Sequence, residues 1–421
     1  MKSVVIVGGG AAGLAAAIAA ARDQAQVTLL EKSHSLGRKI LASGGGRCNL
    51  TNSKIAPERY HGGRTTFVRE ALAKFKAREA EAFFAQLGLL TLTEPDGRIF
   101  PRCGKSHAVL DVLKAELERL GVEIRLGVAV RGIKRADDGF VINTAAAPWK
   151  QNEPPAAADE SLGCDRVILA CGSASYPQLG GDEKACDLAK SLGHTATPLS
   201  PSLVPLTIKE NAFKRLHGLR VEAGLRIFAG QREAARSRGE VLFTEYGLSG
   251  PATLDVSREA VLGLAQGPVQ GSIDLFPEFT APGLNALLAG RAATRSKQPL
   301  KNFFLGMFPA QLCGALLDTL AWDAHRPLDS LGRDAVERLA RLLQDWRFTV
   351  TGNRPWSEAM VTAGGIRLDE VDPQDFQSRK TPGLFLAGEM LDVDGDSGGF
   401  NLHFAWASGL GAGRAAAALN G

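Results

Sequence analysis

Lys2-Ser3-Val4-Val5-Ile6-Val7-Gly8-Gly9-Gly10-Ala11-Ala12-Gly13 opens the chain and sets its fold class. An apolar, β-branched run leads into a glycine turn, and an alanine-rich helix, Leu14 to Arg22, follows. A second apolar run, Gln26 to Leu30, ends at Glu31. Gly8, Gly10 and Gly13 therefore fit G-x-G-x-x-G inside a βαβ unit, the setting in which the pattern marks a nucleotide-binding site. Gly8 permits the tight turn, Gly10 lets backbone approach a pyrophosphate, and Gly13 lets helix pack on strand. The helix N-terminus offers unpaired N–H groups and partial positive charge to the phosphates. Glu31 can accept hydrogen bonds from a ribose diol, and its charge disfavours the 2′-phosphate of NADP.

The 421 residues suit two or three domains with ample core. Apolar content of 45% and charged content of 22% are ordinary for a globular protein. No apolar run reaches the roughly 18 residues of a membrane span. The alanine stretch after Gly13 follows a complete strand and turn, so it is not a signal-peptide core. Six scattered cysteines show no C-x-x-C and no zinc spacing. They are expected to be reduced thiols of a cytoplasmic protein without a structural metal, which excludes a dithiol–disulfide oxidoreductase. A net charge of +4 names no partner. Locally, Lys209 to Arg238 holds eight basic residues against three acids, and Arg291, Arg295, Lys297 and Lys301 follow one another without an acid between. Such runs are either a solvated basic face or a surface that meets a polyanion.

Residues 33–53 show no period and are rich in Gly, Ser, Asn and basic side chains, as a functional loop would be. Thr66 to Leu87 has helical spacing, its phenylalanines read as core, and Asp96-Gly97-Arg98 reads as a hairpin turn. His107 to Leu120 reads as a helix, Val122 to Leu126 and Phe140 to Thr144 as strands, and Ala145 to Ser161, with Pro148, Pro154 and Pro155, as a loop. Arg166 to Ala170 is a buried strand ending in Cys171-Gly172-Ser173, and Asp182 to Leu192 is a helix. After Pro198 the texture changes to short alternating strands, then to helices over 282–346 broken by prolines. The doubly wound texture returns after Trp356. Gly383 to Glu389 is a strand entering a glycine turn, and Ala405 to Leu419 is a closing helix. Within it, Gly409-Leu410-Gly411-Ala412-Gly413 lacks a preceding strand and reads as a helix-packing stripe rather than a second fingerprint.

This C-terminal return supplies a second site element. Gly388-Glu389-Met390-Leu391-Asp392 and Gly398-Gly399-Phe400-Asn401 suit a permanently held flavin better than an exchangeable nicotinamide. Bare backbone at Gly398-Gly399 can approach a flat ring, and Glu389 can hold a ribityl hydroxyl. Alternation of Asp392, Asp394 and Asp396 also leaves calcium as an alternative, although no EF-hand spacing is completed.

Together, Gly8–Gly13, Glu31-Lys32, Gly37-Arg38-Lys39, Ser43 to Asn52, Phe243 to Pro251 and Ala387 to Asn401 resemble the BaiN/RdsA-type FAD-dependent oxidoreductases over nearly the whole chain. The resemblance implies an α/β fold. Its parts are a discontinuous Rossmann-type FAD-binding domain (1–197 and 355–421), an inserted β-rich substrate domain (198–280) and a small helical domain (281–354). It implies cofactor contacts from Gly8, Gly10, Ala12, Gly13, Glu31 and Lys32, and from Arg38, Lys39, Ser43, Gly44, Gly45, Arg47 and Asn49. It adds Val130 and Gly172, then Gly388, Glu389, Asp392, Gly398, Gly399, Phe400 and Asn401. His403 and Phe400 depart from the family's usual amide and tyrosine.

Members of that family reduce conjugated C=C bonds, in steroid enones or in a ribosomal RNA uridine, or oxidise amines. The expected activity is thus hydride transfer from reduced flavin N5 to a conjugated C=C bond. The alternatives are an amine oxidase using oxygen and an RNA- or ribosome-associated flavoprotein. A proton must also reach the substrate. Cys48, with Arg47 to lower its pKa, and His403 are the candidate donors, and a buried Cys and a hydrogen-bonding His are the plainer readings. Phe100-Pro101-Arg102-Cys103 and Tyr246 to Pro251 line the substrate side or are fold-critical turns. With one dinucleotide fingerprint, NAD(P)H would dock transiently or not be used. No association signal indicates an oligomeric state.

Overall fold

A computed structural model describes residues 1–147, 159–294 and 298–418. Pro148, Pro154, Pro155, Arg295 and Lys297 lie outside the described residues. The chain forms two compact units, Met1–Ser200 with Met360–Gly421, and Pro201–Ala359.

The first unit is built on a parallel sheet of β1 (Ser3–Val7), β2 (Gln26–Glu31), β3 (Glu123–Leu126), β4 (Arg166–Leu169) and β5 (Leu384–Leu386), in the order β5-β4-β1-β2-β3. Val4, Val5 and Ile6 are buried, as a central parallel strand covered on both faces requires. β5 pairs with β4 in register Val167↔Leu384, so the C-terminal return completes the sheet that the first residues begin.

The helix after β1, Ala11–Arg22, is buried almost all round, and small side chains are the condition for that. The closing helix, Phe400–Ala417, lies against it. A Cβ on Gly409 would collide with the Ala12 carbonyl oxygen, and one on Gly413 with that of Ala16. The glycine stripe is helix packing, as its sequence setting indicates.

Local readings hold in part. Gly97 turns a hairpin between Thr91–Thr93 and Arg98–Pro101. The expected helix over Thr66–Leu87 is two helices, Thr65–Ala71 and Ala77–Gln86, because the second starts afresh where Glu79 caps the Lys76 N–H at 3.0 Å. Val128–Ala136, Gly139–Ala146 and Glu160–Cys164 form an antiparallel sheet, of which the sequence pattern marks only the middle strand.

The second unit is a closed antiparallel barrel of six strands. Trp346–Asn353 pairs with both Leu206–Ile208 and Val269–Asp274, closing the ring after an intervening run of helices. Phe213, Phe243, Trp346 and Phe348 fill its interior, and Leu316 and Leu339 from those helices share the same core. No helix among the described residues is long and apolar enough to cross a membrane.

Candidate active site

At the carboxyl end of the parallel sheet, Gly8 takes φ +110° and its N–H donates to the Leu30 carbonyl at 2.8 Å. A Cβ there would collide with the Ala170 carbonyl oxygen, and one on Gly13 with that of Gly8. Gly10 starts the first helix without a capping side chain, no acid stands in the first turn, and the space where its Cβ would lie is open. The first-turn N–H groups therefore face a position that accepts an anion. Glu31 also has a role within the protein. Its carboxylate accepts the Gly9 N–H and the Ser33 N–H, each at 2.7 Å, so it latches the turn. Each oxygen keeps a lone pair for a ribose hydroxyl.

Beside the turn, Ala12 meets Gly388, whose Cβ would lie 2.8 Å from that of Ala12. Glu389 follows, and a charged cluster forms around it. Lys39 Nζ lies 2.9 Å from Glu389 Oε2 and 2.7 Å from Ser175 Oγ. Ser175 Oγ donates to Glu389 Oε1 at 2.6 Å, and the Thr362 N–H donates to the same oxygen at 3.0 Å. No sequence signal marks Ser175 or Thr362. They arrive from chain segments far from Lys39. Glu389→Ala removes the acceptor of three donors and leaves Lys39 without its counter-charge. On the cofactor placement proposed below, its FAD affinity is expected to fall at least tenfold, read by flavin titration of the apoprotein.

The expected loop after Gly37 begins as a helix at Arg38 that breaks at Ser43. Gly44, Gly45 and Gly46 then take φ +57°, +65° and +83°, a left-handed run that side-chain-bearing residues resist. Gly45 and Gly46 face open space, whereas a Cβ on Gly44 would lie 2.9 Å from Asn49 N and 3.1 Å from the Phe100 ring. Asn49 Oδ1 is buried and has no hydrogen-bond partner among the described residues. It lies 2.8 Å from where a Cβ of Gly399 would be. A buried orphan acceptor at the meeting of two glycine turns leaves a hydrogen bond open to a polar group that the protein alone does not supply.

Other expected contacts have partners within the protein. Lys32 pairs with Asp182 at 3.0 Å, and Arg38 donates to the Gln178 carbonyl at 2.7 Å. Asn401 clamps its own turn, its amide accepting from and donating to the Gly395 backbone, each at 2.8 Å. The Phe400 ring packs edge-on against Tyr60. A Cβ on Gly62 would collide with the Asp392 carbonyl oxygen, and Asp396 pairs with Arg59 and His61. Among the described residues no group of His, Cys, Asp and Glu could hold a metal. Val130 lies on Val128–Ala136, just past Gly127, whose N–H donates to the Ser33 carbonyl near Glu31. A Cβ on Gly172, after β4, would face open space.

Both candidate proton donors are buried. Cys48 is 0% exposed, and burial pushes its thiol up to about 12. Arg47 does not lower it. The guanidinium sits 3.9 Å over the Phe100 ring and pairs with Glu94 at 2.6 Å. Cys48→Ala is expected to leave turnover within about twofold, because a buried thiol with that pKa is a poor acid near neutrality. A hundredfold loss in steady-state rate would make it the donor. His403 is also 0% exposed, and both ring nitrogens are taken. Nδ1 accepts from Thr51 Oγ at 2.8 Å, and Nε2 donates to the Phe75 carbonyl at 3.0 Å. Burial lowers its pKa to about 4. It is a neutral packing group that ties the closing helix to the loop.

The profile of the family described as HI0933-like protein Rossmann domain matches residues 2–415. The chain belongs to that family. It is 38% identical over 420 residues to the 3-dehydro-bile acid delta(4,6)-reductase of Clostridium scindens, covering 99% of both chains. It is 30% identical over 405 residues to the ribosomal RNA dihydrouridine synthase of Escherichia coli, covering 96% of this chain and 95% of that one. Among solved structures it is similar to the open conformation of a flavocytochrome c3 fumarate reductase. The TM-score is 0.50 at 17% identity, over 99% of this chain and 78% of that one, a likeness of fold. These relations bear out the BaiN/RdsA-type resemblance read from the motifs. This HI0933-like protein is a flavoprotein enzyme, an FAD-dependent oxidoreductase on a Rossmann-type fold.

Proposed function

We propose that the protein reduces a conjugated C=C bond of a small molecule, with FAD bound along the line from Gly10 to Asn49. The observation that carries this reading is the 38% identity, over 99% of both chains, to a relative named as a delta(4,6)-reductase. The first-turn amides after Gly10 would hold the pyrophosphate and Glu31 the adenosine ribose. Lys39 and Glu389 would hold the polar middle of the cofactor, and Asn49 Oδ1 would accept a hydrogen bond at its far end. Bound FAD supplies two-electron hydride chemistry. With one dinucleotide fingerprint in the chain, NAD(P)H would dock transiently as electron donor or not be used.

The relative named as a ribosomal RNA dihydrouridine synthase favours a second reading, in which the reduced bond lies in RNA. The charge of the second unit weighs against it. Arg215, Arg220 and Arg226 pair with Asp318, Glu240 and Asp345, and Arg236 and Arg238 pair with Glu233 and Glu278. Five of the eight basic residues over 209–238 are thus already opposed by acids, most brought from outside the run, and fewer remain to displace counterions from phosphates.

The deciding experiment is anaerobic reduction of the purified holoprotein by NADH or NADPH, followed by reoxidation with an enone or with a uridine-containing RNA. Rapid reoxidation by the enone alone is the expected result. Reoxidation by RNA alone moves the function to uridine, and oxygen consumption with amines while enones stay inert makes it an oxidase.

A further inference from the structure

Beyond β4 the chain makes a loop of which only Gly172 is a predicted cofactor contact. Residues 173–179 run between two glycines in left-handed backbone, Gly172 at φ +72° and Gly180 at φ +101°. At such positions a segment can swing with little steric cost. The middle of the loop is strained instead. Tyr176 takes φ +52°, a conformation that a bulky residue resists and that persists only where its surroundings hold it. Ser173, Ala174 and Ser175 are buried, whereas Pro177 and Gln178 are in water. The Asp182 N–H donates to the Ser173 carbonyl at 2.9 Å and the Gly181 N–H to the Tyr176 carbonyl at 3.1 Å, which closes the loop into one body.

One short stretch of chain holds that body in place. Lys32 Nζ donates to Asp182 Oδ2 at 3.0 Å, the Arg38 guanidinium to the Gln178 carbonyl at 2.7 Å, and Lys39 Nζ to Ser175 Oγ at 2.7 Å. A Cβ on Gly180 would lie 3.4 Å from Ser33 Oγ, so the two segments also touch there. This stretch, Lys32 to Lys39, begins beside Glu31, the proposed seat of the adenosine ribose. Ser175 links the loop onward, since its hydroxyl donates to Glu389 Oε1 at 2.6 Å.

We propose that residues 173–182 are a strap that controls how fast FAD leaves the protein, hinged at Gly172 and Gly180 and latched by Asp182 on Lys32 and by the Gln178 carbonyl on Arg38. The inference rests on the cofactor placement proposed above and adds to it a control of release. Its latch is of a kind that opens easily. The Lys32 and Asp182 side chains are 41% and 44% exposed, so water and salt screen their attraction. The strain at Tyr176 favours opening, and the three cations of the Lys32–Lys39 stretch oppose it. An open strap also takes the Ser175 hydroxyl away from Glu389, in the middle of the cofactor line.

The test is the rate of FAD release from the holoprotein, read as the rise of flavin fluorescence after dilution. Asp182 Oδ1 also accepts the Lys184 N–H at 3.0 Å, and Asp182→Ser keeps a short oxygen for that cap while removing the charge opposite Lys32. Release should quicken about threefold. Gly180→Ala puts a Cβ on a left-handed hinge and should quicken release about tenfold. Higher ionic strength should speed release from the wild type more than from Asp182→Ser, because only the wild type has the latch to screen. Hydrogen exchange over residues 173–182 should be slower in the holoprotein than in the apoprotein. Release at the wild-type rate in both variants overturns the strap. So does slower release from Asp182→Ser, which would make Lys32 a phosphate contact rather than a latch. Wild-type release in both strap variants, with FAD affinity still lost in Glu389→Ala, removes the strap and leaves the cofactor placement. Unchanged affinity in Glu389→Ala removes the placement and the strap with it.

Discussion

Gly409→Ala is expected to destabilise the first unit by about 3 kcal/mol or more and to lower its FAD content. The added Cβ would collide with the backbone oxygen of Ala12, not with the end of a flexible side chain, so one of two packed helices must move. Ala12 belongs to the first turn of the helix whose N-terminus is proposed to face the pyrophosphate, so that displacement reaches the cofactor line directly. Gly290→Ala supplies the contrast. Gly290 lies in the helix Ala281–Thr294, and a Cβ there meets nothing within 4 Å. It should gain up to about 1 kcal/mol from helix propensity. Denaturant melts of both variants, followed by far-UV circular dichroism and flavin fluorescence, check the pair. Equal stability of the two would show that the helices do not meet at Gly409.

Acid is expected to unlock His403. Its pKa in the folded protein is about 4, against 6.5 for a free imidazole, because burial disfavours the cation. The unfolded chain therefore takes up the proton first as pH falls. The stability contributed by the neutral ring is fully present above pH 6.5 and is lost progressively down to about pH 4. By pH 4.5 that loss is roughly 2–3 kcal/mol. His403→Gln keeps one donor and one acceptor but does not titrate. The wild type should lose about that much more stability than His403→Gln between pH 7 and pH 4.5 in parallel urea melts. His194, whose pKa is also lowered by burial, acts in the same direction and is present in both proteins. Identical pH profiles would mean that the ring is hydrated or already charged.

These two expectations mark where the sequence was legible. The glycine stripe at Gly409–Gly413 was readable as packing, because lack of a preceding strand is a local fact and a glycine on a buried helix face has few other uses. The role of His403 was not readable. Its neighbours Thr51 and Phe75 lie far away along the chain, and only their convergence takes both ring nitrogens and the surrounding water. The burial of Cys48 was unreadable for the same reason. Arg47 is adjacent in sequence, yet its guanidinium is drawn to Phe100 and Glu94, and a neighbour along the chain is not a neighbour in space.

By itself the sequence determined the βαβ unit, the sharp turn at Gly8, the close approach at Gly13, the return of the chain near Gly383 and the family. Each follows from sterics or periodicity within a few residues, or from motifs that keep their order. Tertiary structure alone decided the rest. It assembled Lys39, Ser175, Thr362 and Glu389 into one cluster and left Asn49 Oδ1 without a partner among the described residues. It closed the barrel with Trp346–Asn353 and set acids against most of the basic run. Burial and electrostatic pairing are sums over atoms from every segment that folds into one place, and no local stretch of chain contains them.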